Sequence, residues 1–152
     1  MKVEKRIKEL GLELPLAPTP MANYVTARRS GNLLFFSGAG PFVDGKPAVF
    51  GRVGAELTQE QGYEAARLTG LNLISQLKSA VGDLDSVRII KVQAFVASSP
   101  DFSNQPAVMD GVSDLFAEVF GEAGKHARTA VAVPQLPFGI PIEVEMIVEL
   151  TE

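Results

Sequence analysis

One arginine in an otherwise small and apolar stretch is the side chain of this sequence most suited to chemistry. Arg128 stands in the run His-Ala-Arg-Thr-Ala-Val over residues 126–131, which has the composition of a strand. Removing a guanidinium from water costs several kcal/mol unless the charge is paired. Arg128 is therefore expected either to pair within the protein or to hold an anion. Its planar fork of donors fits a carboxylate, so a small carboxylic acid is the first ligand to consider.

Carboxylates follow Arg128 in a second strand-like stretch. Over residues 141–150, apolar residues alternate with Glu143, Glu145 and Glu149, which places these glutamates on one face of a strand. Glu143 could act as a general base, provided that its pKa and its reach allow this. The alternative is structural, because Glu143 or Glu145 could simply form an ion pair with Arg128.

Four other candidates carry weaker signals. His126 is the only histidine, so a metal site built from several histidines is excluded, and the residue is either an exposed loop residue or part of a cleft. Ser37 has no acid–base pair beside it in the sequence, which argues against a serine nucleophile. Gly38-Ala39-Gly40 lacks the pattern that surrounds a phosphate-binding loop. Tyr24 is more typical of a packing aromatic than of a catalytic acid.

Composition limits the class of protein. A chain of 152 residues with 46% hydrophobic residues is expected to form a single domain over residues 1–152, with a core of its own. The net charge of −4 and the sequence pI of about 5.1 argue against a nucleic-acid surface. The absence of cysteine excludes disulfides and thiolate metal sites. No signal peptide or membrane-length apolar run is recognisable, so a cytoplasmic protein without membrane contact is expected.

The spacing of apolar residues and the positions of glycine and proline predict an α+β chain without repeats. The predicted elements, in order, are a helix over 2–11, strands over 23–29 and 33–37, a short edge segment over 46–54, a helix from Thr58 to about Val81, a strand over 87–97, a helix from Gln105 to Phe120, and strands over 127–133 and 141–150. Residues 58–61 fit a capping box, which predicts where the first long helix begins. A linker with Pro15, Pro18 and Pro20 separates the first helix from the core over residues 21–152.

Two long helices, each with one apolar stripe, are expected to cover one face of a largely antiparallel sheet. The strand over 87–97 is expected to turn Ile90, Val92, Ala94 and Val96 to one side. The uncovered face is expected to carry Arg128, Ala130 and Ala132, together with Lys91, Gln93 and Phe95 or their alternates. Such a mixed face suits another subunit better than water, so a homo-oligomer with pockets between subunits is expected.

The sequence resembles the reactive intermediate deaminase family, also labelled L-PSP endoribonuclease-like, from about residue 20 to the end. The matching pieces are residues 22–24, 31–38, Phe95-Val96, 100–102, 127–129, Leu136-Pro137 and 142–145. The N-terminal helix is similar to an extension of a divergent branch. The resemblance implies a chorismate-mutase-like fold and a homotrimer with clefts between subunits. It also implies hydrolysis of imines such as 2-aminoacrylate and 2-iminopropionate to 2-keto acids and ammonia, without a metal or organic cofactor.

The resemblance also implies roles for individual residues. Arg128 would hold the substrate carboxylate and orient the neighbouring carbon for attack by water. Glu143 would organise that water, and Tyr24 would line the cleft. Backbone amides of Ser37, Gly38 and Ala39 would help to position the substrate. His126 would add an imidazole to the substrate-binding set, because it replaces a proline of typical members.

Two further departures leave the function open. Typical members carry a serine where this chain has Val25, and an asparagine where it has Pro106. Loss of two polar cleft contacts favours an alternative in which the cleft binds a small carboxylate, such as a 2-keto acid, without turning it over. An endoribonuclease is the third possibility, against which the net charge and the single histidine argue.

Overall fold

A computed structural model describes residues 1–19 and 22–151, so that Pro20 of the predicted linker lies outside the described residues. The chain order is α1 (Lys2–Glu9), β1 (Ala27–Ser30), β2 (Leu33–Phe36), β3 (Phe42–Val43), β4 (Lys46–Pro47), α2 (Gln59–Val81), β5 (Val87–Ala97), α3 (Gln105–Phe120), β6 (Ala127–Val133) and β7 (Ile142–Leu150). Single 3-10 turns precede β5, β6 and β7. The predicted α+β class is confirmed.

The main sheet has five strands in the order β1-β2-β7-β5-β6. The pairs β1–β2, β2–β7 and β7–β5 are antiparallel, whereas β5 and β6 are parallel and α3 connects them. A parallel connection needs a crossover of this kind. The sheet is therefore mixed, and α2 and α3 bury their apolar stripes against one of its faces. This arrangement leaves β6, which carries Arg128, as an edge strand.

The first long helix begins where its sequence predicts. Thr58 accepts from the backbone of Gln61, and the Gln61 side chain accepts from the backbone of Thr58, so the capping box is confirmed. The helices α2 and α3 then pack at very close range, because a Cβ at Gly111 would lie 2.2 Å from the backbone oxygen of Tyr63. This close approach fixes the position of α3, which supplies side chains to the candidate site.

A β-bulge in β5 overturns part of the predicted alternation. The partners along β7 run from Ile89 opposite Val148 to Lys91 opposite Ile147, so Ile90 is an extra residue without a partner. Val92, Ala94 and Val96 are buried as predicted, but Ile90 is 36% exposed, whereas Ile89 is 1% exposed. The prediction for Ile90 was wrong because an inserted residue reverses the alternation on one side of it.

Two predicted elements near the N-terminus are corrected. The strand predicted over residues 23–29 begins only at Ala27, so Tyr24 precedes it in irregular backbone. The segment predicted over 46–54 contributes only β4, which pairs with β3 in a separate two-stranded sheet rather than at the edge of the main one. Asp44 and Gly45 form the turn between these strands, both with positive φ.

The N-terminal helix is held against the core. The carboxylate of Asp85 accepts hydrogen bonds from the backbone amides of Lys2 and Val3, which are among the free donors at the start of a helix. Ile7 is buried in the core cluster, and the backbone oxygen of Pro15 accepts from Ser75 on α2. The extension therefore lies on the helical side of the protein. Within residues 1–19 and 22–151, no helix combines the length and the apolarity that crossing a membrane requires.

Candidate functional site

Arg128 lies on the helical side of the sheet, at its edge. Arg128 is the register partner of Val92 in the parallel pair β5–β6, and Val92 is fully buried under the helices. Neighbours in register point to the same face, so the Arg128 side chain is directed towards α3. The prediction that Arg128, Ala130 and Ala132 lie on the uncovered face was therefore wrong, and their neighbours in β5 are the alternates Val92, Ala94 and Val96. In this register, Lys91, Gln93 and Phe95 share the uncovered face with Ala127, Thr129 and Val131.

The guanidinium of Arg128 is only partly engaged. Its Nη1 donates to Oδ1 of Asp110 at 2.7 Å and to Oγ of Ser113 at 3.1 Å. The predicted alternative of an ion pair with Glu143 or Glu145 was wrong, since the partner is Asp110 on α3. Within the part of the chain that is described, Nε and Nη2 donate to no acceptor. The edge formed by Nε and Nη2 is therefore free, and it can bind a carboxylate with two parallel hydrogen bonds.

His126 has both ring nitrogens engaged. Nδ1 lies 2.8 Å from the backbone oxygen of Gly124, and Nε2 lies 3.0 Å from Oγ of Ser113. The ring also packs edge-on against Phe116, with 5.7 Å between centroids. Burial lowers the pKa of His126, and the nearby charge of Arg128 lowers it further, although the bond to Gly124 acts the other way. Of the two positions considered for His126, the exposed loop position is therefore wrong, because the ring is half-buried.

Glu143 lies on the uncovered face of the sheet, beside Gly38. Glu143 is half-buried on β7, and a Cβ at Gly38 would meet its Oε1 at 2.8 Å. Burial raises the pKa of Glu143, and repulsion from Glu145 on the same face raises it further. Across the described residues, Glu143 makes no hydrogen bond or ion pair. A carboxyl group in this state can exchange a proton closer to neutral pH than an exposed glutamate can.

Of the three backbone amides predicted to contact a substrate, only one is free to do so. The amide of Ser37 donates to the backbone oxygen of Thr26, and the amide of Ala39 donates to that of Val144. The Ser37 hydroxyl donates to the backbone oxygen of Val25. Of these three amides, only that of Gly38 donates to no acceptor among residues 1–19 and 22–151. Gly38, which is exposed and packs against Glu143, therefore offers a free donor.

The predicted site residues fall into two groups within one chain. Gly38 and Glu143 are in contact, but Arg128 and Glu143 point to opposite faces and are displaced by three register positions across two strand spacings. That displacement amounts to about 10 Å along the strands and about 10 Å across them. Tyr24, which is 52% exposed, precedes β1 at the opposite edge of the sheet from β6. Four strand spacings separate these edges, or about 19 Å.

Two residues of the Arg128 group were not predicted. Asp110 and Ser113 lie three positions apart on α3, which places them on one side of the helix. Because they are polar residues next to the buried stripe of α3, the sequence does mark them as candidates for a polar contact at the edge of that stripe. That signal does not identify Arg128 as their partner, because the contact depends on how α3 packs against β6.

The fold defines a class of α+β proteins in which two long helices cover one face of a mixed sheet. A family model described as "YjgF/chorismate_mutase-like, putative endoribonuclease" matches residues 4–150. The chain therefore belongs to the YjgF/RutC family, which confirms the resemblance drawn from the sequence.

Individual relatives cover almost the whole chain. Protein TCP17 of Trypanosoma cruzi is 46% identical over 98% of this chain and 94% of its own length. A solved structure from Shewanella oneidensis, which carries a provisional endoribonuclease label, is 36% identical with a TM-score of 0.95, covering 99% of this chain and 100% of that one. A 2-iminobutanoate/2-iminopropanoate deaminase of Dermatophagoides farinae is 29% identical over 90% of this chain and 93% of its length.

Proposed function

We propose that the protein hydrolyses small 2-imino acids to 2-keto acids and ammonia. The observation that carries this proposal is the half-buried carboxyl group of Glu143, which has no partner within the described residues and packs against Gly38, whose own amide donates to no acceptor there. A relative named as a 2-iminobutanoate/2-iminopropanoate deaminase supports the substrate class. The open edge of the Arg128 guanidinium fits the carboxylate that every such substrate carries.

The chemistry requires one carboxyl group to move protons in both directions. Glu143 takes a proton from water while the water oxygen forms a bond to the carbon of the C=N group, and it gives that proton to the nitrogen, which yields a neutral carbinolamine. Glu143 then takes the proton of the new hydroxyl group and passes it to the amino nitrogen, the C–N bond breaks with its electron pair on nitrogen, and ammonia leaves as the C=O bond forms. The raised pKa of Glu143 suits this role, since a carboxyl group that is readily protonated closer to neutral pH can serve as both base and acid.

We also propose that the complete site forms between copies of the chain, as a homotrimer with clefts between subunits. Arg128 cannot reach Glu143 within one chain, and Tyr24 lies at the far edge of the sheet. The uncovered face exposes Phe35 by 43% and Val131 by 40%, which suits contact with a second copy. In such an assembly, Arg128 of one copy would approach Gly38 and Glu143 of the next.

A second candidate function is the binding of a small carboxylate, such as a 2-keto acid, without turnover. Pro106 occupies the second position of α3, where proline suits a helix start but offers no side-chain hydrogen bond. Val25 is 50% exposed and also lacks a polar side-chain group. These two positions favour a cleft with fewer polar contacts. The endoribonuclease label in the family description gains no support from a net charge of −4.

The test is release of keto acid from 2-aminoacrylate and 2-iminopropionate, generated in the assay by a serine dehydratase. We expect the wild-type protein to accelerate release and Arg128→Ala to lose most of that acceleration. Arg29→Ala is a matched control, because Arg29 lies on the opposite edge strand and, among the described residues, donates only to Gly31. No acceleration by the wild type, combined with thermal stabilisation by pyruvate, would establish the binding function instead.

A further inference from the structure

His126 is held by contacts that leave no ring nitrogen free for a substrate. A carbonyl oxygen only accepts hydrogen bonds, so Nδ1 carries the proton that points to Gly124, and Nε2 is left as an acceptor. The hydroxyl of Ser113, 3.0 Å from Nε2, is the group that donates to it. The edge-on contact with Phe116 restricts the ring further. The imidazole therefore acts on its neighbours inside the protein.

The hydroxyl of Ser113 joins His126 to Arg128. A serine hydroxyl has one proton to donate and lone pairs with which to accept. The proton goes to Nε2 of His126, so a lone pair accepts from Nη1 of Arg128 at 3.1 Å. A neutral imidazole is required for this direction of donation, and burial favours the neutral form by lowering the pKa of His126. Each group in the chain of hydrogen bonds has one consistent role.

We propose that Ser113 and His126 are positioning residues that hold the Arg128 guanidinium with its Nε–Nη2 edge turned towards the ligand carboxylate. Asp110 alone would tether Nη1 at one point and leave the guanidinium plane free to turn about it. The contact with Ser113 supplies a second point, and two points orient a planar group. The proposal rests on the proposed function for its ligand, and it replaces the substrate contact expected of His126 with a role inside the protein.

The kinetic consequence is a separation of KM from kcat. Arg128 would grip a carboxylate that is present in both the substrate and the transition state. Loosening that grip weakens both states equally and raises KM more than it lowers kcat. We expect Ser113→Ala and His126→Phe each to raise KM for 2-iminopropionate about tenfold, and to change kcat less than about twofold. His126→Gln keeps an acceptor near the position of Nε2, and we expect it to restore most of the lost affinity.

Ser79→Ala is the matched control, since Ser79 is an exposed helical serine on α2, away from β6. A second measurement does not depend on turnover. In protein without ligand, the Nε–H NMR signal of Arg128 is expected to be sharp in the wild type and Ser79→Ala, and to broaden or shift in Ser113→Ala and His126→Phe. As the only histidine, His126 should show the Nδ1–H tautomer in a long-range nitrogen–proton spectrum.

The outcomes separate the two proposals. An active wild type whose KM is unaffected by Ser113→Ala would overturn the positioning role. A wild type that neither turns over imines nor binds pyruvate would overturn the proposed function alone, and the NMR signal of Arg128 would then decide the positioning role. An Arg128 signal that is the same in Ser113→Ala, His126→Phe and the wild type would refute it.

Discussion

Gly38 and Glu143 stand so close together that residue 38 has no room for a side chain. A Cβ at this position would lie 2.8 Å from Oε1 and 2.9 Å from Cδ of Glu143, inside the distance at which carbon and oxygen atoms repel. The φ angle of Gly38 is not positive, so glycine is needed here for space rather than for backbone conformation. The backbone of Gly38 thus limits where the carboxyl group of Glu143 can stand.

Gly38→Ala is expected to displace Glu143 and lower activity more than stability. The Glu143 side chain can swing away, so the free energy of unfolding should fall by about 1 kcal/mol, at the lower end for an overpacked site. A misplaced catalytic group lowers kcat/KM by up to about a hundredfold. Steady-state kinetics and urea denaturation would measure the two effects on the same preparation.

Gly11→Ala provides the control for Gly38→Ala. Gly11 has φ of +68°, and a Cβ added there would have no neighbour within 4 Å, so alanine is strained but meets no atom of the candidate site. A similar loss of stability with unchanged kcat/KM is expected. Equal activity in Gly38→Ala and the wild type would mean that the position of Glu143 does not limit turnover.

Glu143→Gln is expected to stabilise the protein at neutral pH while it abolishes turnover. The pKa of Glu143 is raised in the folded state, so below pH 4.5 the group is protonated whether or not the chain is folded. As the pH rises above this value, the unfolded chain ionises first, and the free energy of unfolding falls. The melting temperature of Glu143→Gln should therefore exceed that of the wild type at pH 7 but match it near pH 4. Glu13→Gln, at an exposed glutamate, should leave the melting temperature unchanged at both pH values.

His126 is expected to make the protein less stable as the pH falls below 6.5. Its pKa is lowered in the folded state, so its contribution is complete above pH 6.5, where the ring is neutral in both states. Below that value the unfolded chain binds a proton first, which favours unfolding until the pH passes the folded pKa. The decline in melting temperature between pH 7 and pH 5 should be smaller in His126→Gln. An identical pH profile in the two proteins would contradict the burial of a neutral imidazole.

Tyr63 on α2 is expected to ionise only at an unusually high pH. Its hydroxyl donates to Asp114 on α3 at 2.7 Å, and this hydrogen bond, with burial and the charge of Asp114, raises the pKa of Tyr63 to about 12. The chain has two tyrosines, so Tyr24→Phe leaves Tyr63 as the only phenol that absorbs at alkaline pH. In that variant, titration by absorbance should have its midpoint near pH 12. Adding Asp114→Asn to this variant should lower the midpoint of the titration. A midpoint near pH 10 in Tyr24→Phe alone would show that the hydrogen bond between Tyr63 and Asp114 is absent.

Helices and the last strands were predictable because their signals are local. The bounds Gln105–Phe120 and Ala127–Val133 agree with the sequence prediction, since each is fixed by an apolar pattern and by flanking glycine or proline. The prediction for Ile90 was wrong because the bulge that exposes this residue depends on pairing with β7, some sixty residues away in the chain. Periodicity identifies a strand, but it does not reveal an inserted residue.

The candidate site was predictable as a set of residues but not as an arrangement. Arg128 and Glu143 stood out because charges are costly in apolar strands. The face of Arg128 was predicted wrongly because its neighbours in β6 are alanine, threonine and valine, which give no clear alternation between a buried and an exposed side. Its partners Asp110 and Ser113 are defined by the packing of α3 against β6. The proximity of Gly38 to Glu143 likewise arises only from strand pairing.

Phe35→Asp is expected to dissociate the proposed trimer and to abolish turnover with it. Phe35 lies on β2 between the buried residues Leu34 and Phe36, so its side chain points to the uncovered face, where it is 43% exposed. A carboxylate there would have to be desolvated in an interface without a partner, at a cost of several kcal/mol. Because the side chain is already exposed in one chain, the monomer itself should remain folded.

Light scattering would measure the mass, and circular dichroism would confirm that the fold persists. The wild type is expected at three times the chain mass of 16.2 kDa, and Phe35→Asp at the chain mass itself. Leu16→Asp is the control, because Leu16 is 94% exposed and its neighbour Pro15 is bonded to α2 on the helical side. A wild type that is monomeric and still hydrolyses imines would disprove a site shared between copies, since Arg128 and Glu143 face opposite sides of the sheet in a single chain.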